Sequence, residues 1–221
     1  FKIASGDITH FNLLKKISSC GKPIILSTGA STLSDIKKAI KVIHKQNSNS
    51  SVALLHCVSN YPTKIKDLNL NCINTLKKHF NCIVGFSDHT IGILAPTVAV
   101  SLGAKIIEKH FTLDKTLPGP DHALSADPIE MKALVDRLKE VNESLGSDQK
   151  FLVEGKNLQK AIRRSLVVNR DIKKGEIISE SMLDTKRPAI GLDSDEKEYF
   201  IGKKVKKRIN VDQPIFKQDV E

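Results

Sequence analysis

The chain has 221 residues and carries 35 Lys and Arg against 25 Asp and Glu, a formal net charge of +10. Its content of 40% hydrophobic and 27% charged residues is ordinary for a globular protein with one sizeable core and a smaller second domain. No apolar run approaches the roughly 20 residues that a membrane-spanning helix requires, so we expect no membrane span. The chain opens without Met inside an apparent strand, so we expect part of a longer protein to precede Phe1.

The positive charge is too dispersed to indicate a nucleic-acid or membrane surface. Residues 161–221 hold fourteen Lys and Arg against eleven Asp and Glu, which leaves +7 of the +10 spread over the first 160 residues. Only two tyrosines and no tryptophan are available to stack on bases. We therefore expect no nucleic-acid partner, and a small anionic substrate fits the mild positive bias equally well.

The four cysteines are unevenly spaced and form no Cys-x-x-Cys pair, at Cys20, Cys57, Cys72 and Cys82. This usage is typical of free thiols, and it predicts a cytoplasmic protein. Cys57 lies within an apolar run, which favours a core position over a nucleophile.

Short apolar runs alternate with amphipathic segments five times between Phe1 and about Gly146. The runs are rich in Ile, Val and Leu without strict alternation, as expected of strands buried on both faces. The predicted strands are Lys2 to Gly6, Pro23 to Thr28, Val52 to Val58, Ile83 to Ser87 and Lys105 to Phe111. The predicted helices are Phe11 to Ser19, Thr32 to Lys45, Asn69 to Phe80, Ile93 to Leu102 and Pro128 to Leu145.

This strict β-α alternation predicts a parallel sheet of the α/β class. The sheet is either an open, doubly wound one or the last five units of an eight-unit TIM barrel whose first three units lie upstream. No Gly-x-Gly-x-x-Gly motif follows the first strand, which disfavours an open nucleotide-binding sheet. Polar residues end every strand, and this favours a barrel with its site at the carboxyl mouth.

After the last helix the pattern changes. Residues 147–162 are predicted as a linker. Residues 163–221 contain short apolar runs separated by turn residues, such as Asp171-Ile172-Lys173-Lys174-Gly175. We predict a partial barrel at 1–146 and a small β-rich domain at 163–221.

His89 and His110 each follow an apolar run, and one predicted helix separates the two runs. If the strands are parallel neighbours, both imidazoles lie at carboxyl ends and can share a divalent metal, with carboxylate from Asp88 or Asp121. Ser87 shares a strand face with His89, as Glu108 does with His110. The alternative is that each histidine caps its strand by hydrogen bonding. His56, inside an apolar strand, is predicted as a hydrogen-bonded barrel residue.

Six motifs in this order resemble the sialic acid synthases, which include N-acetylneuraminate synthase and its legionaminic and pseudaminic acid relatives. They are Lys2-Ile3-Ala4-Ser5-Gly6-Asp7, Ile25-Leu26-Ser27-Thr28-Gly29, Leu55-His56-Cys57 with Tyr61-Pro62, Gly85-Phe86-Ser87-Asp88-His89, Glu108-Lys109-His110-Phe111-Thr112 and Pro118-Gly119-Pro120-Asp121-His122. The segments Arg164-Ser165-Leu166, Gly175-Glu176 and Lys186-Arg187-Pro188 resemble the antifreeze-like (SAF, β-clip) domain that those enzymes carry.

The resemblance implies a condensation. Phosphoenolpyruvate adds through C3 to the aldehyde of an open-chain N-acetylmannosamine-type sugar, and water then attacks C2 while phosphate leaves, giving a nine-carbon sugar acid. The resemblance implies a metal on His89 and His110, usually manganese, although magnesium or cobalt can serve. It gives Asp121 a role in acid-base work or water orientation beside the metal and the sugar.

The resemblance also implies the substrate contacts. For phosphoenolpyruvate it implies Lys2, Ser5, Ser27, Ser59 and Ser87, although some members carry asparagine in place of Ser59. For the sugar it implies Asp7, Tyr61, Asp121 and an Arg187 that reaches into the neighbouring subunit of a domain-swapped homodimer. Asp7 stands where many members carry glutamate. Without the resemblance, Lys186-Arg187-Pro188 is a basic surface turn.

Two other functions fit parts of the pattern. A metal-dependent class II-type aldolase would also place histidines at barrel strand ends, but it would not carry an antifreeze-like domain. A sugar- or phosphate-binding protein without turnover belongs to another functional class and could use the same strand-end hydroxyls.

Overall fold

The computed structural model describes all 221 residues, which form two compact units, Phe1–Ser147 and Asp148–Glu221. None of the helices has the length and hydropathy required of a membrane-spanning segment. Each unit encloses its own cluster of buried apolar side chains.

The first unit alternates five strands with five helices, as the sequence pattern predicts. The strands are β1 (Lys2–Ile3), β2 (Ile24–Ser27), β3 (Val52–Cys57), β4 (Ile83–Asp88) and β5 (Ile107–Lys109). The helices are α1 (Phe11–Ser19), α2 (Leu33–Gln46), α3 (Cys72–His79), α4 (Leu94–Ser101) and α5 (Pro128–Leu145). β1 and β5 are shorter than predicted because the chain turns into irregular segments at the sheet's edge.

The five strands form one parallel sheet in the order β1-β2-β3-β4-β5. Every neighbouring pair is parallel, so all carboxyl ends lie along one edge. The first strand and the last each have a single neighbour. This is the predicted part of a TIM barrel, with each strand followed by a helix.

Local chemistry sets the helix boundaries. Thr32 and Asp35 form a capping box at the start of α2, and Asp127 and Glu130 form one at the start of α5. Such boxes satisfy backbone N–H groups that have no partner within the helix. Gly146 ends α5 with φ of +52°, a conformation that glycine adopts with little strain.

The first core lies between the sheet and the helices α1 to α4. Its central side chains are almost fully buried and come from every layer of the unit, as in Leu14, Leu26, Ile43, Leu54, Ile73 and Phe86. A Cβ atom on Gly85 would lie 2.5 Å from the carbonyl oxygen of Ile106, so only glycine allows β4 and the segment before β5 to approach so closely.

The second unit contains helix α6 (Gly155–Ile162), an antiparallel pair of β6 (Ser165–Val168) with β7 (Leu183–Lys186), and the short helix α7 (Lys197–Phe200). Isolated β-bridges extend the pairing, and the core centres on the fully buried Phe200. Helix α6 occupies the end of the interval predicted as a linker. It belongs to this unit, because the N–H of Ala189 donates to the carbonyl of Lys160 at 2.8 Å.

Candidate functional site

A cavity of about 480 Å³ lies at the carboxyl edge of the parallel sheet. All five strands contribute to it directly or through the residue that follows. Most of the side chains predicted from the sequence line it. The lining residues are Lys2, Ala4, Ser5, Gly6, Ser27, Ala30, Cys57, Ser59, Tyr61, Ser87, His89, Glu108 and His110.

The strand register explains why these residues converge. Cys57, Ser87 and Glu108 form one row across β3, β4 and β5, because Cys57 pairs with Ser87 and Ser87 pairs with Glu108. His89 and His110 each lie two residues beyond a member of this row. Alternation along a strand therefore brings both imidazoles to the face that bears Ser87 and Glu108.

The two imidazoles are close neighbours, with ring centroids 5.4 Å apart. The Nδ1–H of His89 donates to the carbonyl of Val58 at 2.8 Å, because a carbonyl can only accept. Burial lowers the pKa of His89, and the nearby His110 acts in the same direction. Near neutral pH His89 is therefore an uncharged imidazole with its lone pair on Nε2.

The second imidazole faces a carboxylate. Nδ1 of His110 lies 3.6 Å from Oδ2 of Asp121, an ion-pair distance rather than a hydrogen bond. Nε2 makes no hydrogen bond in either His89 or His110. The ring of Tyr61 packs against both, with centroids 4.2 Å from His89 and 5.6 Å from His110. Burial raises the pKa of Tyr61, so its hydroxyl keeps its proton at neutral pH.

These features fit a divalent metal. In metal sites a histidine commonly binds through one nitrogen while the other donates to a carbonyl or faces a carboxylate, as Val58 and Asp121 allow here. No group of three or more His, Cys, Asp or Glu side chains converges in the chain to form a metal cage. Two histidine ligands would leave most coordination positions of such an ion open.

Two side chains next to residues of the candidate site are engaged elsewhere. Asp88 was expected as a source of carboxylate, and this is wrong, because its side chain is fully buried and pairs with Lys109 at 2.7 Å. Asp88 follows Ser87 in β4 and lies on the opposite face of the strand. The neighbour of Asp121, His122, binds the hydroxyl of Thr112 at 2.7 Å through Nδ1.

The other end of the cavity carries hydroxyl groups and one ammonium. Oγ of Ser27 is buried and has no hydrogen-bond partner, although it lines the cavity. A buried hydroxyl without a partner is costly, and an anionic ligand would relieve it. The ammonium of Lys2 lies 3.4 Å from a carboxylate oxygen of Glu108 and supplies the positive charge.

Gly29 gives this end of the cavity its shape. Its N–H donates to Oγ of Ser5 at 2.9 Å, and Ser5 in turn contacts Sγ of Cys57 at 3.1 Å. A Cβ at Gly29 would lie 2.4 Å from Oγ of Ser59 and 2.8 Å from both Oγ of Ser5 and Sγ of Cys57. The side chains of three polar residues therefore fill the space that a side chain at position 29 would occupy.

Glu108 is a cavity residue that was not among the predicted site residues. Its Oε1 accepts from Oγ of Ser87 at 2.7 Å, and its Oε2 faces Lys2. Its shared strand face with His110 was the signal in the sequence that could have identified it.

Three predicted site residues do not line the cavity. Asp7 lies in the 3-10 turn Ser5–Asp7 that follows β1. This turn also places Ser5 beyond the regular strand, so that Lys2 and Ser5 reach the same cavity. Asp121 touches the site through His110, and Arg187 is exposed in the second unit directly after β7.

A second cavity, of about 560 Å³, lies beside α2 and α3. It includes His56, whose Nε2 bonds to the carbonyl of Leu68 at 2.8 Å, which confirms the predicted hydrogen-bonded barrel residue. Its other lining groups are mainly apolar side chains and hydroxyls. It is lined by no pair of imidazoles and no ammonium, so the first cavity is the better candidate for the functional site.

The fold defines an α/β protein with part of a TIM barrel, a candidate site at the carboxyl ends of its strands and a small β-rich domain later in the chain. Comparison with family models gives the family: residues 1–150 match the NeuB family and residues 163–221 match the SAF domain. The chain belongs to the NeuB family, the sialic acid synthases.

Individual relatives agree with this assignment. An uncharacterised protein of Methanocaldococcus jannaschii is 48% identical over 221 residues, which are 100% of this chain and 65% of the relative. The N,N'-diacetyllegionaminic acid synthase of Campylobacter jejuni is 44% identical over 218 residues, 97% of this chain and 65% of the relative. The chain thus spans slightly less than two thirds of the length of both.

A solved structure shares the fold. It is the N-acetylneuraminic acid synthetase of Leptospira borgpetersenii in complex with citrate, which superposes with a TM-score of 0.64 at 40% identity. The match covers 72% of this chain and 54% of that one. This likeness supports the assignment of the parallel sheet as part of a TIM barrel.

Proposed function

We propose that the protein condenses phosphoenolpyruvate with an open-chain N-acylated mannosamine-type sugar, giving a nine-carbon 2-keto sugar acid and phosphate. The observation that carries this proposal is the juxtaposition in one cavity of two metal-competent imidazoles with a buried, unpartnered hydroxyl and an ammonium. The family, whose named members include legionaminic acid and N-acetylneuraminate synthases, supports it.

In this reaction C3 of phosphoenolpyruvate forms a bond to the aldehyde carbon of the sugar, whose oxygen takes up a proton. Water then adds at C2, and the C2–O bond to phosphate breaks, which leaves a ketone. A divalent metal held by His89 and His110 would supply Lewis acidity at the aldehyde oxygen. Asp121, beside His110, is positioned to orient water or exchange a proton with it.

The anion binds at the other end of the cavity. Lys2 supplies a positive charge, and hydroxyl groups donate to the phosphate and carboxylate oxygens. Burial strengthens these hydrogen bonds because the local dielectric constant is low. The hydroxyls belong to Ser5, Ser27, Ser59 and Ser87.

The sugar lies against the ring of Tyr61 and near Asp121, and Asp7 contacts it from the turn that follows β1. In the same proposal Arg187 of the partner subunit contacts the N-acyl group, and the enzyme is a domain-swapped homodimer. Manganese is the proposed metal, with magnesium or cobalt as substitutes, and the proposed compartment is the cytoplasm.

The deciding experiment measures phosphate release from phosphoenolpyruvate by the protein expressed from its complete coding sequence. N-acetylmannosamine and a diacetamido hexose serve as alternative acceptors, with Mn²⁺ present and then with EDTA added. Phosphate release that requires both a sugar and the metal supports the synthase. Release of pyruvate from added N-acetylneuraminate, in a reaction without phosphoenolpyruvate, indicates the aldolase. Absence of turnover in either reaction indicates a binding protein.

The metal ligands are tested separately. We expect His89→Ala and His110→Ala each to remove metal-dependent turnover and to weaken Mn²⁺ binding at least 100-fold, because each removes one of two protein ligands. His79→Ala is the matched control, since His79 lies on the exposed face of α3 and bonds only its own helix. Unchanged Mn²⁺ affinity in both cavity variants would contradict a metal site at His89 and His110.

The 221-residue chain by itself is expected to be inactive. β1 and β5 each have one unpaired edge, so the barrel wall around the cavity is incomplete. Phosphate release by the purified 221-residue chain would contradict this expectation.

A further inference from the structure

One residue before each candidate metal ligand, the chain carries a buried charge. Asp88 precedes His89 and Lys109 precedes His110, and the two are register partners across β4 and β5. Nζ of Lys109 lies 2.7 Å from Oδ2 of Asp88, with the side chains 3% and 0% exposed. This is the most deeply buried ion pair in the structure.

Burial of this pair is not explained by stability alone. The desolvation free energy of two buried charges can exceed their Coulombic attraction. Well-packed apolar residues at the same positions are often at least as stabilising. A paired charge does impose one register, because a shifted register would leave both charges buried and uncompensated. The register between β4 and β5 is what sets the relative position of the two histidines.

The pair also fixes the backbone around His89. Oδ1 of Asp88 accepts from the N–H of Thr90 at 2.8 Å, and Nζ of Lys109 donates to the carbonyl of Thr90 at 2.7 Å. The ion pair therefore holds both backbone polar groups of Thr90, the residue that directly follows His89. The carbonyl of His89 accepts from the N–H of Thr63 at 3.0 Å, which leaves the segment little freedom.

The ion pair lies at the carboxyl ends of β4 and β5. β4 ends at Asp88 and β5 ends at Lys109, so His89 and His110 both lie one residue past the regular ladder. The ion pair is therefore the last link between β4 and β5 before the two imidazoles. Because side chains alternate along a strand, the pair occupies the face opposite the cavity and does not compete for the ligand.

We propose that Asp88 and Lys109 are positioning residues that set the spacing of His89 and His110 for one shared divalent ion. This inference rests on the proposed metal site, which the His89 and His110 variants test independently. Neither Asp88 nor Lys109 touches the metal or the substrate. Their effect is transmitted through the backbone of Thr90 and the ends of β4 and β5.

The test measures Mn²⁺ affinity and thermal stability in the protein expressed from its complete coding sequence. Free Mn²⁺ is followed by electron paramagnetic resonance during titration. The central variant is the double substitution Asp88→Asn with Lys109→Met, which removes both charges and leaves no unpaired one. Ile43→Ala is the control, since Ile43 is fully buried near the end of α2, at the amino-terminal edge of the sheet away from the cavity.

We expect the double variant to remain folded and to bind Mn²⁺ about 10- to 100-fold more weakly, the range typical of lost supporting contacts around metal ligands. Ile43→Ala is expected to lower the melting temperature and to leave Mn²⁺ affinity unchanged. An Mn²⁺ affinity of the double variant within twofold of the parent's would overturn the proposal.

A second variant decides the matter if the double substitution does not fold. Asp88→Glu keeps both charges but lengthens the acidic side chain by one methylene. It therefore changes the distance between β4 and β5 at this pair without leaving a buried charge unpaired. We expect weaker Mn²⁺ binding here too, and affinity equal to the parent's overturns the proposal. If the parent binds Mn²⁺ no better than His89→Ala, the metal site itself fails, and that result is distinct from these.

Discussion

The hydroxyl of Ser87 donates to Oε1 of Glu108 at 2.7 Å, while Oε2 of the same carboxylate lies 3.4 Å from the ammonium of Lys2. Glu108 therefore engages two of the groups that the proposed function assigns to an incoming anion. A phosphate or carboxylate that binds here must compete with this side chain, and the negative charge of Glu108 opposes its approach.

Glu108→Gln should therefore tighten the binding of inorganic phosphate. Removal of a partly exposed like charge is worth roughly 0.5 to 1 kcal/mol, a two- to fivefold fall in Kd. Isothermal titration calorimetry measures the Kd. Glu143→Gln, which makes the same change of net charge on the exposed face of α5, should leave it unaltered. Weaker phosphate binding by Glu108→Gln would show that this carboxylate organises the site rather than opposing the anion.

Gly29→Ala should weaken phosphate binding by about tenfold or more. The added Cβ would displace Ser5, Cys57 or Ser59, whose side-chain atoms lie within 2.8 Å of its position. The matched control is Gly6→Ala, because nothing lies within 4 Å of a Cβ at Gly6, which lines the same cavity. The same calorimetric titration compares the two variants, and equal Kd values would exclude a steric role for Gly29.

The proposed exchange of Arg187 between subunits predicts complementation. His89→Ala and Arg187→Ala should each be inactive alone, but mixed dimers contain one site with an intact imidazole pair and an intact arginine. Co-refolding equal amounts should restore about a quarter of the wild-type rate of phosphate release, since half of the dimers are mixed and each has one complete site. Absence of recovery, with mixed dimers verified by mass spectrometry, would place Arg187 in its own subunit's site, and full activity of Arg187→Ala alone would place it outside any site.

His56 should make stability depend on pH. Burial lowers the pKa of His56 below the ordinary value of 6.5, so the unfolded chain takes up a proton at a pH where the folded chain does not. The contribution of His56 to the free energy of unfolding therefore falls as the pH drops from 6.5 to the folded pKa, and it does not change with pH above 6.5.

Urea unfolding at about pH 5.5 and pH 7.5, with EDTA present, measures this difference. His56→Gln keeps an N–H donor for the carbonyl of Leu68 but cannot titrate, so the loss of stability at the lower pH should be smaller than in the parent. His89 has a lowered pKa as well and contributes equally to both proteins, which is why the comparison isolates His56. Equal losses in the two proteins would contradict the prediction.

Much of the first unit was predictable because its signals are local. Helix α1 and helix α5 begin and end at the predicted residues, and Thr32 caps α2 through its side chain. The alternation of apolar runs with helical periods fixed the parallel arrangement. Boundaries moved at β1 and β5, where the chain leaves the sheet and turns are set by contacts between distant segments.

Several contacts in the candidate site could not be predicted from local sequence. Strand alternation placed Ser87 with His89 and Glu108 with His110, yet the sequence could not decide which carboxylate faces the two histidines. Asp88 was expected near the metal, and its pairing with Lys109 depends on register between strands that lie 21 residues apart in the chain. The unpartnered hydroxyl of Ser27 and the close approach to Gly29 are likewise products of packing.

By itself the sequence determined the family and, in the first unit, the element types and their order, because periodicity, capping residues and ordered motifs are properties of short segments. The tertiary structure decided the imidazole separation of 5.4 Å, the accepting carbonyl of Val58 and the buried partner of Asp88. Each of these depends on atoms from different strands, whose relative positions follow from sheet register and core packing rather than from local sequence.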